Sequence, residues 1–177
     1  MRIIAGIYRH RNIVFPSDKT TRPTKDRIRE ALFSSLGPSV VNAKVLDLFA
    51  GSGAYGIEAL SRGASLCTFV DLEKEPIQCI KKNIRDLKID NALVVKSDYK
   101  EYLKTLSENQ FDLVLLDPPY AMDVCNEIVS YLIDNNIVSK SGIIVVETDK
   151  EFIIDETLFR KVKKFKYGFI HACILRR

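Results

Sequence analysis

"VLDLFAGSGAYG", residues 45–56, sets a short apolar run interrupted by one acid directly against three glycines spaced G-x-G-x-x-G. Val45, Leu46, Leu48 and Phe49 suit a buried strand, while Ile57 and Leu60 begin a helical pattern just beyond the last glycine. A strand that turns straight into a helix presents backbone amides and a helix N-terminus to a ligand. Glycine is needed where that ligand approaches the main chain closely. Gly51, Gly53 and Gly56, with Asp71 twenty residues beyond Gly51, match the dinucleotide fingerprint.

Asp47 departs from that fingerprint. A carboxylate beside the glycine turn repels pyrophosphate and attracts a cation. S-adenosylmethionine carries an ammonium and a sulfonium and no phosphate, so the pattern favours it over NAD. Asp71 would then accept from ribose hydroxyls. Asp98, ending the third strand, is placed to accept from an adenine amino group.

Outward from this stretch, apolar runs alternate with helical patterns. KVLDLFA, SLCTFVD, ALVVKSD, FDLVLLD and GIIVVET read as strands, and GAYGIEALSR, EPIQCIKKNIRDL, YKEYLKTL and DVCNEIVSYLID as helices between them. Such alternation predicts β-α-β units and a mostly parallel sheet covered on both faces. The last segment leaves no room for a crossover helix between KVKKFKY and FIHACIL, so these predict an antiparallel hairpin turning near Tyr167–Gly168. Upstream, TKDRIREALFSSLGP has Ile28, Ala31, Leu32 and Leu36 at helical spacing, with Thr24 as N-cap and Gly37–Pro38 as stop signal.

FDLVLLDPPY, residues 111–120, places Asp117, Pro118, Pro119 and Tyr120 at the same sheet rim as the glycine loop. Methylating an exocyclic amine needs two hydrogen-bond acceptors, because the nitrogen lone pair is delocalised into the ring. The Asp117 carboxylate supplies one, and the Pro118 carbonyl, held by a stiff Pro-Pro backbone, supplies the other. Tyr120 offers a face on which a purine can stack. In isolation Asp-Pro-Pro-Tyr is equally a tight turn after a strand.

Length and composition set the outer limits. The 177 residues make about one domain, and hydrophobic and charged contents of 46% and 28% are those of a soluble globular chain. Four scattered cysteines, Cys67, Cys79, Cys125 and Cys173, lack metal-ligand spacing and suit buried free thiols in a reducing cytosol. No apolar run approaches the length of a membrane span, so a cytoplasmic protein without metal or membrane is expected. Charge is segregated. Residues 1–30 hold eight basic and three acidic residues, and residues 160–177 hold seven basic and none acidic. The stretch between them has 12 basic against 20 acidic. An acidic body with basic ends predicts a surface for a polyanion.

Together, MRIIAGIYRHR, TRPTKDRIREALF, VLDLFAGSGAYGIEALSRGA, FVD, FDLVLLDPPY and the closing YGFIHACILRR resemble the RsmD family, the bacterial small-subunit ribosomal RNA guanine-N2 methyltransferases. The resemblance implies a Rossmann-like class I methyltransferase: a mostly parallel seven-stranded sheet with a C-terminal antiparallel hairpin and a small basic N-terminal extension. It divides the chain into an RNA-binding arm and helix, 1–38, and a methyltransferase domain, 39–177. The implied cofactor is S-adenosyl-L-methionine, held by Asp47, Phe49, Gly51, Ser52, Gly53, Asp71, Leu72, Asp98 and Tyr99. The catalytic positions are Asp117, Pro118, Pro119 and Tyr120. The implied partner is 16S ribosomal RNA within an assembled small-subunit particle, met by a monomeric enzyme. Ile7 and His10 stand where family members often have a basic residue and a glycine, and Tyr55 where a leucine is usual.

Arg2, Arg9, Arg11, Arg22, Lys25, Arg27 and Arg29 are the candidates for phosphate contacts. Tyr8 and His10 are interleaved as stacking faces, and Thr24 lies within the same motif. Lys25 and Arg29, four apart along the edge of the helical stripe, are expected to point toward the substrate groove. Three rivals stand beside this reading: a DNA adenine or cytosine amino-methyltransferase, a non-catalytic RNA-binding assembly factor and an NAD-dependent oxidoreductase.

Overall fold

Strand and helix alternate along the chain because apolar runs of four to six residues are separated by amphipathic stretches. The computed structural model of the protein describes residues 1–16, 23–119, 121–150 and 152–177, with the side chains of residues 23–25 excepted. Among these residues seven strands, β1 (Lys44–Asp47), β2 (Leu66–Asp71), β3 (Ala92–Lys96), β4 (Phe111–Leu116), β5 (Val138–Thr148), β6 (Lys161–Tyr167) and β7 (Ile170–Arg176), form one sheet in the order β3-β2-β1-β4-β5-β7-β6. The first five pair in parallel, and β5–β7 and β6–β7 are antiparallel. The parallel sheet and the closing hairpin are those expected from the sequence.

Among the described residues five α-helices cover the sheet: α1 (Pro23–Leu36), α2 (Ala54–Ser61), α3 (Lys74–Leu87), α4 (Tyr99–Leu103) and α5 (Cys125–Asp134). Ile28, Leu32 and Phe33 of α1, Ile57 of α2 and Ile80 of α3 meet Val45, Phe69, Leu113 and Val145 on one face. Tyr102 and Leu103 of α4 and Ile128, Val129 and Leu132 of α5 meet Leu46, Val70, Val114 and Ile144 on the other. Alternate residues of each strand therefore feed two apolar layers, as the period of two requires. Cys67, Cys125 and Cys173 are buried free thiols and Cys79 is half-buried. No helix among the described residues is long and apolar enough to cross a membrane.

Two boundaries differ from the sequence reading, and the N-terminal arm packs onto the domain. α1 starts at Pro23, so Thr24 lies inside the first turn instead of capping it, as the preference for proline at the first helical position explains. β5 reaches back to Val138, which pairs with Phe111 across a register shift. The polar Ser139-Lys140-Ser141 hid this extension. Residues 1–16 are no loose arm. Ile3 and Ile13 are buried in the same apolar layer as α1 and α2, and the Ile4 and Ala5 amides donate to the Glu58 carboxylate at 2.8 and 3.1 Å. This segment turns back on itself through His10, which takes φ 67 at the position where the family resemblance led us to expect glycine.

Candidate active site at the sheet rim

β1 lies inside the sheet between β2 and β4, and its end is tied to both neighbours. The Leu48 amide donates to the Leu115 carbonyl at 3.1 Å and the Ala50 amide to the Val70 carbonyl at 3.0 Å. The glycine loop thus leaves the sheet between β2 and β4. Gly53 has φ 79 and caps α2, a conformation that disfavours a side chain. Gly56 is required for contact. A Cβ there would stand 2.3 Å from the Phe69 ring and 2.6 Å from the Cys67 sulfur.

The acids of the rim brace the loop. Asp71 Oδ2 accepts from the Gly51 amide at 2.8 Å and Oδ1 from the Glu73 amide at 3.0 Å. Asp47 is only 3% exposed and accepts from the Gly56 amide at 2.9 Å. Burial pushes its carboxyl up to about 7, aided by the neighbouring Asp117 and Asp71 charges and opposed by the Gly56 hydrogen bond. Asp98 lies past the end of β3 and caps α4, its Oδ1 accepting from the Lys100 and Glu101 amides at 2.8 and 3.4 Å. Tyr99 packs its ring 5.2 Å from that of half-buried Phe49, and Leu72 is exposed beside Asp71. Ser52 is buried within the loop.

β4 brings the second motif to this place. Asp47 pairs with Leu115 in the parallel ladder, so Asp117 leaves β4 two residues beyond the partner of Asp47. One small pocket is lined by Asp47, Tyr55, Leu115, Leu116, Asp117, Val145 and Glu147. Pro118 is buried and Pro119 exposed, and the Met122 amide returns to the Pro119 carbonyl at 2.8 Å, closing a turn. Tyr120 lies outside the described residues. Among the described residues no cluster of His, Cys, Asp and Glu is disposed to hold a metal ion.

The family described as "Conserved hypothetical protein 95" matches residues 1–176. "Ribosomal RNA small subunit methyltransferase D" of Haemophilus influenzae is 40% identical over 155 residues, covering 85% of this chain and 80% of that protein. The protein of the same name from Escherichia coli K12 is 39% identical over 151 residues, covering 85% and 76%. The chain belongs to the RsmD family. The solved structure described as "Putative methyltransferase yhhF from Escherichia coli" superposes with a TM-score of 0.87 at 34% identity, covering 100% of this chain and 97% of that one. The class I methyltransferase fold, with its Rossmann-like parallel sheet, follows.

Two groups of candidate residues fare differently in this RsmD-family chain. Arg2, Arg9, His10, Arg11 and Arg27 are exposed and Tyr8 is half-buried. Arg29, expected at the substrate groove, is instead 1% exposed. Its guanidinium lies 3.2 Å from Asp26 and 4.0 Å from Glu58 and donates to the Arg2 carbonyl at 2.9 Å. It cannot meet a phosphate because it is sealed between α1, α2 and the first strand-like residues of the chain. Arg22 lies outside the described residues, as do the side chains of Thr24 and Lys25.

Sequence reasoning missed Tyr55, Glu58, Asn83 and Glu147. Each is a polar residue at an apolar position of its pattern, which was the available signal. The Tyr55 hydroxyl donates to the Glu147 carboxylate, joining α2 to β5 beneath Asp117, and its ring stacks on Phe33 at 6.2 Å. Burial and the Glu147 charge hold the Tyr55 phenol well above its usual range, so it stays protonated and donating.

Proposed function

We propose that the protein transfers a methyl group from S-adenosyl-L-methionine to the exocyclic N2 of a guanine in small-subunit ribosomal RNA. The observation that carries this reading is the meeting of Asp47 and Asp117 at one pocket. It supports one shared site for the cofactor loop and the Asp-Pro-Pro corner.

The rim fits this cofactor chemically. Asp47, Asp71 and Asp117 stand along it, carboxylates that suit a cationic ligand without phosphate and oppose a pyrophosphate. Asp71 and the adjacent exposed Leu72 would hold the ribose, and the Phe49–Tyr99 ring pair, with Asp98 beside it, the adenine. When bound, S-adenosylmethionine supplies an electrophilic methyl on sulfur.

The chain's own task is to prepare the nitrogen. Asp117 and the Pro118 carbonyl each accept one N–H, turning the amine lone pair toward the methyl. Tyr120 stacks on the base. The Asp117 carboxylate would lie beside the nitrogen as it becomes cationic and would take the proton that it releases. The exposed Arg2, Arg9, Arg11 and Arg27 neutralise phosphates of the RNA.

The test is transfer of labelled methyl to small-subunit particles from cells lacking this protein, followed by digestion to nucleosides. Label in N2-methylguanosine is expected. Label in methyladenosine would move the target to an RNA adenine, and none in RNA with purified DNA labelled instead would replace this reading with the DNA amino-methyltransferase alternative.

A further inference from the structure

The catalytic rim does not end at β4. β5 runs parallel to β4 beyond it, and β7 runs back along β5 with Thr148 opposite His171, while Tyr167 of β6 faces Ile170 of β7. The turn through Gly168 and Phe169 therefore stands on the same rim as Asp117, on the side away from the glycine loop. At a strand spacing of about 4.8 Å, β7 lies about 10 Å and β6 about 14 Å from β4.

The chemistry of this tip is distinctive. Phe169 is 56% exposed, and the turn residue Gly168 has φ 62. Residues 160–177 carry seven basic and no acidic side chains. Several of these are engaged: Lys163 donates to Ser35 at 2.9 Å, Lys164 pairs with Glu156 at 2.6 Å, and Arg176 donates to Ser39 at 3.1 Å. Lys166, next to the tip, is exposed. Lysines on a sheet edge commonly serve only to prevent edge-to-edge pairing. That purpose does not explain a phenylalanine more than half exposed at the end of such an edge.

We propose that the β6–β7 tip is a second contact for the RNA substrate, in which Phe169 stacks on a base flanking the target and Lys166 meets a phosphate. The role rests on the RNA methyl-transfer reading above. It accounts for the charge pattern of the chain, in which an acidic body carries a basic segment at each end. One end, residues 1–16, is fastened to α2 and α3, and the other lies past β5. The substrate is gripped on both sides of the acidic rim, and the acids themselves face the amine and the cofactor. A single-stranded loop suits the tip better than a duplex, since an exposed ring reads unstacked bases.

The test uses the full-length protein with small-subunit particles from cells lacking it. Phe169→Ala should raise KM for particles about tenfold, within what loss of one stacked base costs. Its kcat should stay within twofold, with cofactor affinity and Tm unchanged. Phe169→Trp should restore KM. Lys166→Gln should lower the slope of log affinity against log salt by about 0.7, the value for one phosphate of a single strand. Unchanged KM and an unchanged salt slope, with the wild type methylating particles normally, would overturn the tip's role and leave the methyltransferase reading standing. Wild-type protein that methylates no particle RNA would remove that reading, and the tip's role with it.

Discussion

The side-chain amide of Asn83, on α3, donates to the Ser52 carbonyl of the glycine loop at 3.0 Å. The same side chain donates to the Val14 carbonyl at 3.0 Å and accepts from the Val14 amide at 2.8 Å. One buried residue thus fastens both the loop that would hold the cofactor and the N-terminal segment that would touch RNA.

Replacing Asn83 by Leu keeps the branching of the side chain but strands three backbone groups. At about 1 kcal/mol for each lost bond, and more where a group stays buried, a loss of about 3 kcal/mol is expected. For a chain of this size that lowers Tm by about 6–12 °C. The Tm rise on adding S-adenosylmethionine should shrink as well. Thermal unfolding with and without cofactor reads both, and a variant with wild-type values in each would show that the brace bears no weight.

Arg29 and the exposed arginines should separate cleanly. Arg29→Ala removes the guanidinium between Asp26, Glu58 and the Arg2 carbonyl, and breaking a buried pair costs about 3–5 kcal/mol. Glu58 keeps Arg62 at 2.7 Å, which places the expected loss at the lower end. Arg9→Ala and Arg11→Ala, on exposed side chains, should leave Tm within about 1 °C and weaken RNA binding with a shallower salt dependence. Denaturant unfolding and RNA titration at several salt concentrations distinguish these outcomes. An Arg29→Ala protein of normal stability with a reduced salt slope would return Arg29 to the RNA surface.

Arg29 shows where sequence reading stops. Periodicity correctly placed Ile28, Leu32 and Leu36 on the buried stripe of α1, but Arg29 sits beside that stripe. Its partners, Glu58 and the Arg2 carbonyl, come from distant positions in the chain. Local pattern carries no information about such a partner. The parallel strands and the hairpin were legible because each depends on period and length within one segment. The rim acids were legible as strand ends, yet their bonds to Gly51, Gly56 and Lys100 were not, since loop closure decides them. Asn83 could have been noticed as the one amide on the stripe of Ile80, Ile84 and Leu87.

Asp47 makes cofactor binding depend on pH. Its carboxyl is raised to about 7 by burial, so in the free protein it is largely protonated at pH 6 and ionised at pH 8. A raised folded-state value in an acid favours the folded state at low pH, and that stabilisation is lost as pH rises from about 4 to about 7. A bound cation favours the carboxylate and lowers the value, so binding releases protons between pH 6 and 8. Affinity for S-adenosylmethionine should rise across that interval and level off above it. Calorimetry in two buffers of different ionisation enthalpy measures the release. Asp47→Asn should bind more weakly, release no protons there, and lose less stability between pH 4 and 7 than the wild type. Proton release unchanged in Asp47→Asn would assign it to another group.

Asp117 carries two duties that substitution can part. Asn at this position retains a carbonyl oxygen to accept from the amine but lacks the charge that meets the nitrogen as it becomes cationic. Ala retains neither. Removal of one preorganised polar group of this kind costs about 100- to 1000-fold in turnover. Asp117→Asn should therefore lose turnover within that range, and Asp117→Ala about 1000-fold or more, while cofactor affinity stays within a few fold because Asp71 and the glycine loop are untouched. Single-turnover methyl transfer, with calorimetry of cofactor binding alongside, separates chemistry from binding. Equal rates for the two variants would mean that charge alone matters at this corner. Turnover persisting in Asp117→Ala would require a different acceptor for the amine hydrogens, and Glu147, lining the same pocket, is the next carboxylate to replace.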